Sequence, residues 1–297
     1  MTTHLKHTPD DVRVRPRNLR FDVTTALKGE GLKGEGRKHW MGGDPVATAV
    51  FNALSLTFPD GEKMFIDAVK HFRPRLEEAG NAKLLEDVQG FIAQEGIHAR
   101  EHAVLNRFVD RARYPVAEIE ALIRARIDIA RDRGPYAMLL STIALEHFTA
   151  MMAEDHMAHP ELFDGTPREI ERMWRWHAME ETEHKAVAFD VFLEVSKHWS
   201  PFQRWRRRML SMMIVTYNFT RNIARYSAML LVAEGFTPEA ARKAVRGYLW
   251  GRPGLFRRGW RTYFAWYRPG FHPWDVDNRA ELAGWKAEYD EAAATAA

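Results

Sequence analysis

Two stretches decide the fold: FIAQEGIHAREH at residues 91–102 and WHAMEETEHKAVAFD at residues 176–190. Each contains a Glu-x-x-His unit, Glu95–His98 in the first stretch and Glu181–His184 in the second. A carboxylate and an imidazole three residues apart on a helix lie on the same face, so both can bind one metal ion. The two stretches therefore predict two helices that meet at a metal centre.

Apolar residues surround each unit at the three- and four-residue spacing of a buried helix face. The first helix is predicted from about Asn81 to Arg111, and its face also carries His102. The second is predicted to begin at a capping box at Thr166 and to run to about His198. On both faces the ionisable side chains lie in the middle of an apolar stripe, where an unpaired charge is costly.

Two further helices each carry a solitary glutamate on an apolar face. Glu62 lies in a helix that we expect to be kinked or restarted at Pro59, and Glu146 lies in the helix that follows the break at Pro135. A glutamate from each of two helices, with a Glu-x-x-His unit from each of two others, is the ligand set of di-iron and di-manganese four-helix bundles. No strand pattern is visible, so we predict an all-α fold, a ferritin-like four-helix bundle with additional C-terminal helices.

Composition divides the chain into three predicted parts. Residues 1–38 are polar and basic and contain the glycine-rich run KGEGLKGEGRK, so we expect an extended N-terminal arm. Residues 39–200 are expected to form the metal-binding four-helix bundle. Residues 201–297 are expected to supply additional helices packed on that bundle.

The composition also excludes several classes of function. The 297 residues include no cysteine, which rules out disulfides, zinc-thiolate sites, iron–sulfur clusters and cysteine nucleophiles. A formal net charge of +3 is weak evidence for a nucleic-acid partner, and we expect none. No apolar run is long enough to span a bilayer, and the N-terminus lacks the apolar stretch of a signal peptide. We therefore expect a cytoplasmic protein.

The buried carboxylates require cations, because four of them converging would repel one another and each is costly to bury unpaired. Two divalent ions balance four carboxylates, and neutral imidazoles complete the ligand shell. Carboxylates mixed with imidazole suit iron or manganese better than structural zinc. We therefore expect two iron ions, with manganese as the alternative, bound by Glu62, Glu95, His98, Glu146, Glu181 and His184.

Three more histidines lie close to these residues in the sequence. His177 precedes Glu181 by one helical turn and is either a third imidazole ligand or a core histidine that supports the ligands. His102 is one turn beyond His98, and we expect it to orient ligands or to line a pocket. His147 points about 100° away from its neighbour Glu146 on a helix, so a role other than metal ligand is favoured.

At these motifs the sequence resembles a bacterial family labelled predicted metal-dependent hydrolase, within the ferritin-like superfamily. The resemblance covers HWMGGDPVATAVFNALSLTFPDGEKMF, QEGIHAREH, LEHFTA, WHAMEETEHKAVAFDV and RPGFHPW, which span most of residues 39–275. It implies a metal-dependent enzyme. The arrangement of His177, Glu181 and His184 is also similar to the fourth-helix motif of di-iron arylamine N-oxygenases, in which the additional histidine is a metal ligand. That second likeness implies activation of O2.

Three functions compete at this stage. The first is an O2-activating di-iron oxidoreductase for a small or apolar organic substrate, with electrons from the substrate or from an electron-donor protein. The second is a two-metal hydrolase, since a dinuclear centre also activates water. The third is iron handling, or an interaction protein with a relic site. The additional histidine makes the two metal positions unequal, and for that reason we favour the first.

The C-terminal region combines arginines with aromatic residues between about Trp250 and Arg268. One interpretation is a peripheral patch that contacts the surface of an anionic membrane. The other is that these aromatics cover the bundle or form a homodimer interface. We favour the second interpretation.

Overall fold

The computed structural model describes residues 6–28 and 38–296, and within those ranges it contains helices and no strand. The prediction of an all-α fold is confirmed. The helices are α1 (Val23–Lys28), α2 (Pro45–Glu78), α3 (Ala82–Asn106), α4 (Val116–Asp132), α5 (Pro135–Ala158), α6 (Arg168–His184), α7 (Val187–Val195), α8 (Pro201–Ala233), α9 (Pro238–Trp250), α10 (Leu255–Arg258), α11 (Trp260–Ala265) and α12 (Arg279–Ala296).

A bundle of four helical columns forms the centre of the molecule. Helix α2 packs along α3, and α5 packs along α6, with further contacts from α2 to α5 and from α3 to α6 and α7. The fourth column consists of α6 followed directly by α7. The helices that carry the Glu-x-x-His units are therefore brought together with the helices that carry the solitary glutamates, as their apolar faces require.

Helix α2 continues through Pro59 without restarting. The sequence predicted either a kink or a restart at this proline, and the restart is not observed. A proline has no backbone N–H, so the carbonyl of Ser55, four residues earlier, loses its helical donor. The side-chain Nδ2 of Asn106 donates to that carbonyl at 2.9 Å instead. Helix α3 thus replaces the hydrogen bond that the proline removes from α2.

The fourth column differs from the single helix that was predicted. Helix α6 ends at His184, two turn residues follow, and α7 then runs from Val187 to Val195. The predicted capping box is also wrong, because no side chain caps the start of α6. The Thr166 hydroxyl instead contacts the sulfur of Met41. Helix α3 ends at Asn106, earlier than predicted.

The N-terminal arm packs against the bundle along its described length, and it includes the short helix α1. Its residues Val14, Arg17 and Phe21 are buried. The arm crosses α3 at Gly90, where a Cβ atom would collide with the carbonyl oxygen of Val14. Most of the predicted glycine-rich loop lies outside the described residues.

The helices that follow residue 200 pack on the bundle. Helix α8 contacts α2 and α5, α9 contacts α8, and α12 contacts α6. Trp266 is fully buried, whereas Trp260 and Phe264 are exposed. The three-part division of the chain, the homodimer and the membrane contact stay predictions. None of the described helices combines the length and apolar character needed to cross a membrane.

Candidate metal centre

The six predicted ligand side chains and the candidate His177 lie in the interior of the bundle, and each is at most 4% exposed. They come from all four columns, so the site exists only when the bundle is assembled. The residues are Glu62 on α2, Glu95 and His98 on α3, Glu146 on α5, and His177, Glu181 and His184 on α6.

Six of these side chains form two groups, in each of which the potential ligand atoms lie within 4.8 Å of one another. The first group is Glu62, His98 and His177, and the second is Glu95, Glu181 and His184. The seventh, Glu146, lies beside the second group, with its Oε2 atom 3.6 Å from His184 Nε2.

Glu181 joins the two groups. Its Oε1 atom lies 2.8 Å from His177 Nε2 and 3.6 Å from His98 Nδ1, which belong to the first group. The same atom lies 3.6 Å from His184 Nε2 of the second group. A carboxylate in this position is suited to bridge two cations.

The donor atoms fit a metal centre because most of them have no hydrogen-bond partner. Buried polar atoms are almost always paired, and each unpaired one costs about 1–3 kcal/mol. The unpaired atoms here are both carboxylate oxygens of Glu62, Glu95 and Glu146, Oε2 of Glu181, Nδ1 of His98 and Nε2 of His184. Carboxylate oxygens and ring nitrogens that converge without partners are suited to bind cations.

Burial raises the pKa of Glu62 and of Glu146 well above the ordinary value, and the neighbouring carboxylates raise it further. Burial also raises the pKa of Glu95. Without cations these groups favour the protonated form, which relieves their mutual repulsion. Metal binding at this site is therefore expected to displace protons.

His98 is oriented by Glu180, whose Oε2 atom accepts a hydrogen bond from His98 Nε2 at 2.9 Å. This bond leaves Nδ1 facing the first group. Burial alone would lower the pKa of His98, but Glu180 and Glu181 raise it to about 9. At pH values below about 9, a cation that binds Nδ1 must therefore displace a proton from it.

His184 is oriented by Gln94. The amide oxygen of Gln94 lies 2.8 Å from His184 Nδ1, and since that oxygen can only accept, Nδ1 carries the proton. The lone pair of the neutral ring is then on Nε2, which faces the second group. Gln94 Nε2 in turn donates to Glu183 at 2.6 Å, which holds the amide in this orientation.

His177 is oriented by a chain of hydrogen bonds from α2 and α3. Asn106 Nδ2 donates to the Ser55 carbonyl, so its Oδ1 accepts the Ser55 hydroxyl at 2.7 Å. Ser55 Oγ then accepts from His102 Nδ1 at 2.9 Å, which leaves a lone pair on His102 Nε2. That atom accepts from His177 Nδ1 at 2.6 Å. The tautomers inferred from this network leave a lone pair on His177 Nε2.

In this tautomer His177 has the form that a metal ligand needs. Its Nε2 lone pair and the Glu181 Oε1 atom face each other at 2.8 Å, an arrangement that a shared cation satisfies. Burial lowers the pKa of His177 to about 4, which also favours the neutral ring. His102 lies behind His177, and its role in orienting ligands or lining a pocket stays a prediction.

His147 lies apart from both groups. Its Nε2 atom is 3.0 Å from the backbone carbonyl of Thr262, and its ring packs against Trp266. The structure therefore places it between α5 and the C-terminal region, where it fixes the packing of α11.

Sequence reasoning missed Arg17, which connects two of the orienting carboxylates. Its guanidinium donates to Glu180 at 3.1 Å and to Glu183 at 2.9 Å, and it also contacts Asp290 on α12 at 2.6 Å. Lys286, which also lies on α12, pairs with Glu183. Glu180 and Glu183 could be proposed from their place beside the ligands, but nothing in the local sequence indicates Arg17.

In the part of the chain that the structure describes, a larger and a smaller cavity adjoin the centre. The larger, of about 360 Å³, is bordered by α2, α4, α5 and α8, and Glu62 is part of its wall. Most of its lining is apolar, including Phe58, Phe65 and Leu145. The smaller, of about 20 Å³, lies beside His177 and Glu181 and has room for about one water molecule.

Residues 15–277 match a protein family described as predicted metal-dependent hydrolase. The chain belongs to this family. The matched region contains every ligand candidate and the residues that orient them. No curated protein and no solved structure matches the chain. Membership supports a metal-dependent enzyme, and the broader ferritin-like relationship stays a prediction.

Proposed function

We propose that this family member is a dinuclear, di-iron enzyme that activates O2 to oxidise an apolar organic substrate. The observation that carries the proposal is the pair of buried ligand groups joined through Glu181, with an apolar cavity that reaches Glu62. Mixed carboxylate and imidazole donors favour iron or manganese.

The two metal positions are unequal in the proposed centre. The group of Glu62, His98 and His177 offers two imidazoles, whereas the group of Glu95, Glu181 and His184 offers one imidazole and two carboxylates. Bound iron supplies the reduction of O2, chemistry that amino-acid side chains do not provide. Unequal ligands would give the two positions different affinities and reduction potentials.

The protein residues have three tasks in this proposal. The carboxylates and imidazoles hold the cations, and the networks through Glu180, Gln94 and His102 fix the orientation of each imidazole. The apolar wall of the large cavity keeps water away from the centre and receives the substrate. We propose that the electrons come from the substrate or from a separate electron-donor protein.

The family description favours a second candidate, a two-metal hydrolase. Such an enzyme must orient a polar, hydrolysable group and admit water to the centre. The cavity that reaches the centre is mainly apolar, and Glu62 is the only carboxylate among its described lining residues. This lining is better suited to an apolar substrate, so we place the hydrolase second.

The two candidates are separated by adding metals to the metal-free protein without air. We expect two iron ions per chain by elemental analysis, and consumption of O2 when the ferrous protein is exposed to air. A Glu181→Ala variant should lose metal and O2 consumption together. Turnover of an ester or amide by the zinc or manganese form without air, with no O2 consumption by the iron form, would establish the hydrolase instead.

A further inference from the structure

The large cavity has a polarised distribution of charge. Its charged lining residues are Glu62 and three arginines, Arg126, Arg133 and Arg207. Glu62 is 1% exposed and lies at the metal centre, whereas Arg133 and Arg207 are exposed and Arg126 is half-buried. Arg126 and Arg133 lie about two helical turns apart at the end of α4 and therefore mark an outer edge of the cavity, which we call the mouth. The volume of the whole cavity, about 360 Å³, is in the range of small-molecule sites.

The lining of the cavity between the mouth and the centre is mainly apolar. Phe58, Phe65 and Leu145 line it together with Ile129 and Ile214, which are 41% and 46% exposed. Exposed large apolar side chains at the rim of a cavity are unfavourable in water and favour contact with an apolar molecule. The lining thus fits a ligand with an extended apolar part.

The arginines at the mouth lack carboxylate partners, unlike their neighbours on α4. Arg124 pairs with Asp60, and Arg131 pairs with Asp128. Among the described residues no acidic side chain forms an ion pair with Arg126 or Arg133. Burial lowers the pKa of Arg126, and the positive charge of Arg133 lowers it further. An anion at the mouth would relieve this repulsion.

We propose that the cavity binds an amphiphilic anion, with its carboxylate or phosphate group at Arg126 and Arg133 and its apolar end toward Glu62. The proposal rests on the proposed function in taking this molecule as the substrate of the metal centre. Charge sets the orientation, because the carboxylates of the centre repel an anion while the arginines attract it. The centre then acts on the apolar end, far from the anionic group.

The binding test uses octanoate and octyl phosphate as probes, with octanol and octylammonium as matched ligands of neutral and positive charge. Titration calorimetry is performed on the manganese-loaded protein without air, so that no turnover intervenes. We expect both anions to bind more tightly than octanol and octylammonium to bind least. The ratio between octanoate and octyl phosphate identifies which anionic group the arginines prefer.

The arginines are tested by Arg126→Met, which keeps an apolar stem and removes the charge. Loss of a charge-assisted hydrogen bond should weaken octanoate binding roughly tenfold or more and leave octanol binding unchanged. Arg124→Met, on the same helix but outside the cavity lining, is the control and should bind octanoate like the unmodified protein. Equal binding of octanoate and octylammonium, or no effect of Arg126→Met, would overturn the proposal.

Gly61 allows a test of the inner end. It lies in α2 beside Glu62 and lines the cavity, and a Cβ atom placed there would meet no other atom within 4 Å. Gly61→Leu should therefore fold normally, since glycine is a poorer helix former than leucine. We expect it to weaken octanoate binding more than butanoate binding. Equal weakening of both would show that the apolar end does not lie there.

Failure of this inference is distinguishable from failure of the proposed function. Consumption of O2 is measured on the iron-loaded form of the same preparations. Anion binding that depends on Arg126, in a protein that never consumes O2, would support the cavity assignment and refute the oxidoreductase. Consumption of O2 without any binding of the anions would support the oxidoreductase and refute the cavity assignment.

Discussion

Arg17 is a buried guanidinium whose partners are the carboxylates behind the ligand imidazoles. Its side chain is 2% exposed, and the side chains of Glu180 and Glu183 are fully buried. Removing the cation from such a cluster leaves buried negative charge uncompensated. The arm therefore supports the ligands electrostatically as well as covering them.

Arg17→Met should destabilise the fold by about 3–5 kcal/mol, because it breaks buried ion pairs. It should also weaken metal binding by roughly 10- to 100-fold, since Glu180 and Glu183 then orient the imidazoles less well. Thermal unfolding and competition with a chelator measure the two effects. Arg20→Met removes a mostly exposed arginine from the same arm and should change neither. Unchanged metal affinity in Arg17→Met would show that the arm is only a cover.

His177 is the residue whose role the sequence left open. If its Nε2 atom binds metal, His177→Ala should reduce the content from two ions to about one per chain, with the weaker ion lost first on dialysis. His147→Ala, which alters a buried histidine outside both groups, should retain two. Elemental analysis after reconstitution measures both. A full complement of metal in His177→Ala would assign His177 to the supporting network.

Asp190 offers a pH dependence that is separate from the metal centre. Burial would raise its pKa, but hydrogen bonds from His272, His7 and Thr8 lower it to about 2. A carboxyl group whose pKa is lower in the folded than in the unfolded state stabilises the fold at pH values above its unfolded pKa of about 4. This contribution disappears as the pH falls toward 2. The shift corresponds to about 2 kcal/mol.

The free energy of unfolding of Asp190→Asn should therefore lie below that of the unmodified protein at neutral pH, and the two should converge as the pH falls from 4 to 2. Urea unfolding at a series of pH values measures the difference. A constant difference across this range would show that the carboxylate is not the source of the stability.

The ligand candidates could be predicted because each lies in a regular apolar stripe, where a charged side chain is conspicuous. Gln94 and Glu183 adjoin the ligands in sequence and could be proposed from helix geometry. Arg17 could not, since it is separated from Glu180 by 163 positions and lies in a segment without a helical pattern. Long-range electrostatic partners leave no local signal.

At the scale of the elements, helices α2 and α3 depend on each other at Pro59. Asn106 supplies the donor that the proline lacks, and the same side chain accepts the Ser55 hydroxyl that begins the chain to His177. One amide group therefore both satisfies the carbonyl left unpaired by Pro59 and begins the chain that orients a candidate ligand. A kink or a restart at Pro59 was expected because the sequence does not show this donor.

Asn106→Leu should cost about 1–3 kcal/mol, because the Ser55 carbonyl is left buried and unpaired. Pro59→Ala restores a backbone donor to that carbonyl, so the double variant should recover part of the loss. Denaturant unfolding of the two single variants and the double variant gives the coupling energy. Strict additivity of the two substitutions would contradict the replacement of one donor by the other.

The break between α6 and α7 is a feature that the sequence pattern did not predict. The apolar spacing continues from His184 through Val187 and Val191, so periodicity favours one helix. In the structure Lys185 lies at the break, and its amino group donates to the carbonyl of Val276 at 2.7 Å and to Asn278 at 2.9 Å. Contacts with residues so distant in sequence are absent from any local pattern.

At the scale of the whole molecule, the metal centre is expected to contribute to the stability of the bundle. Ligand binding to the folded state alone adds about 2.7 kcal/mol when the free metal exceeds its dissociation constant a hundredfold. Removal of metal should therefore lower Tm by several degrees without loss of helix, because the apolar contacts among α2, α3, α5 and α6 remain.

Calorimetric scans with and without a chelator measure this loss, and circular dichroism measures the helix content. Metal affinity should also rise with pH up to about 9, since the proton on His98 competes with the cation below that value. His177→Ala is the comparison and should show a smaller loss of Tm on metal removal. An identical Tm with and without metal would contradict the expected linkage.

The contact between Arg17 and Asp290 has a consequence for the order of folding. The two residues are 273 positions apart, so their pairing closes almost the whole chain and carries a large loop-closure entropy. We expect such contacts to form after the local helix pairs, and α12 to dock late. During refolding, tight metal uptake should therefore lag behind the recovery of helix. The centre matures only when the two distant segments have met.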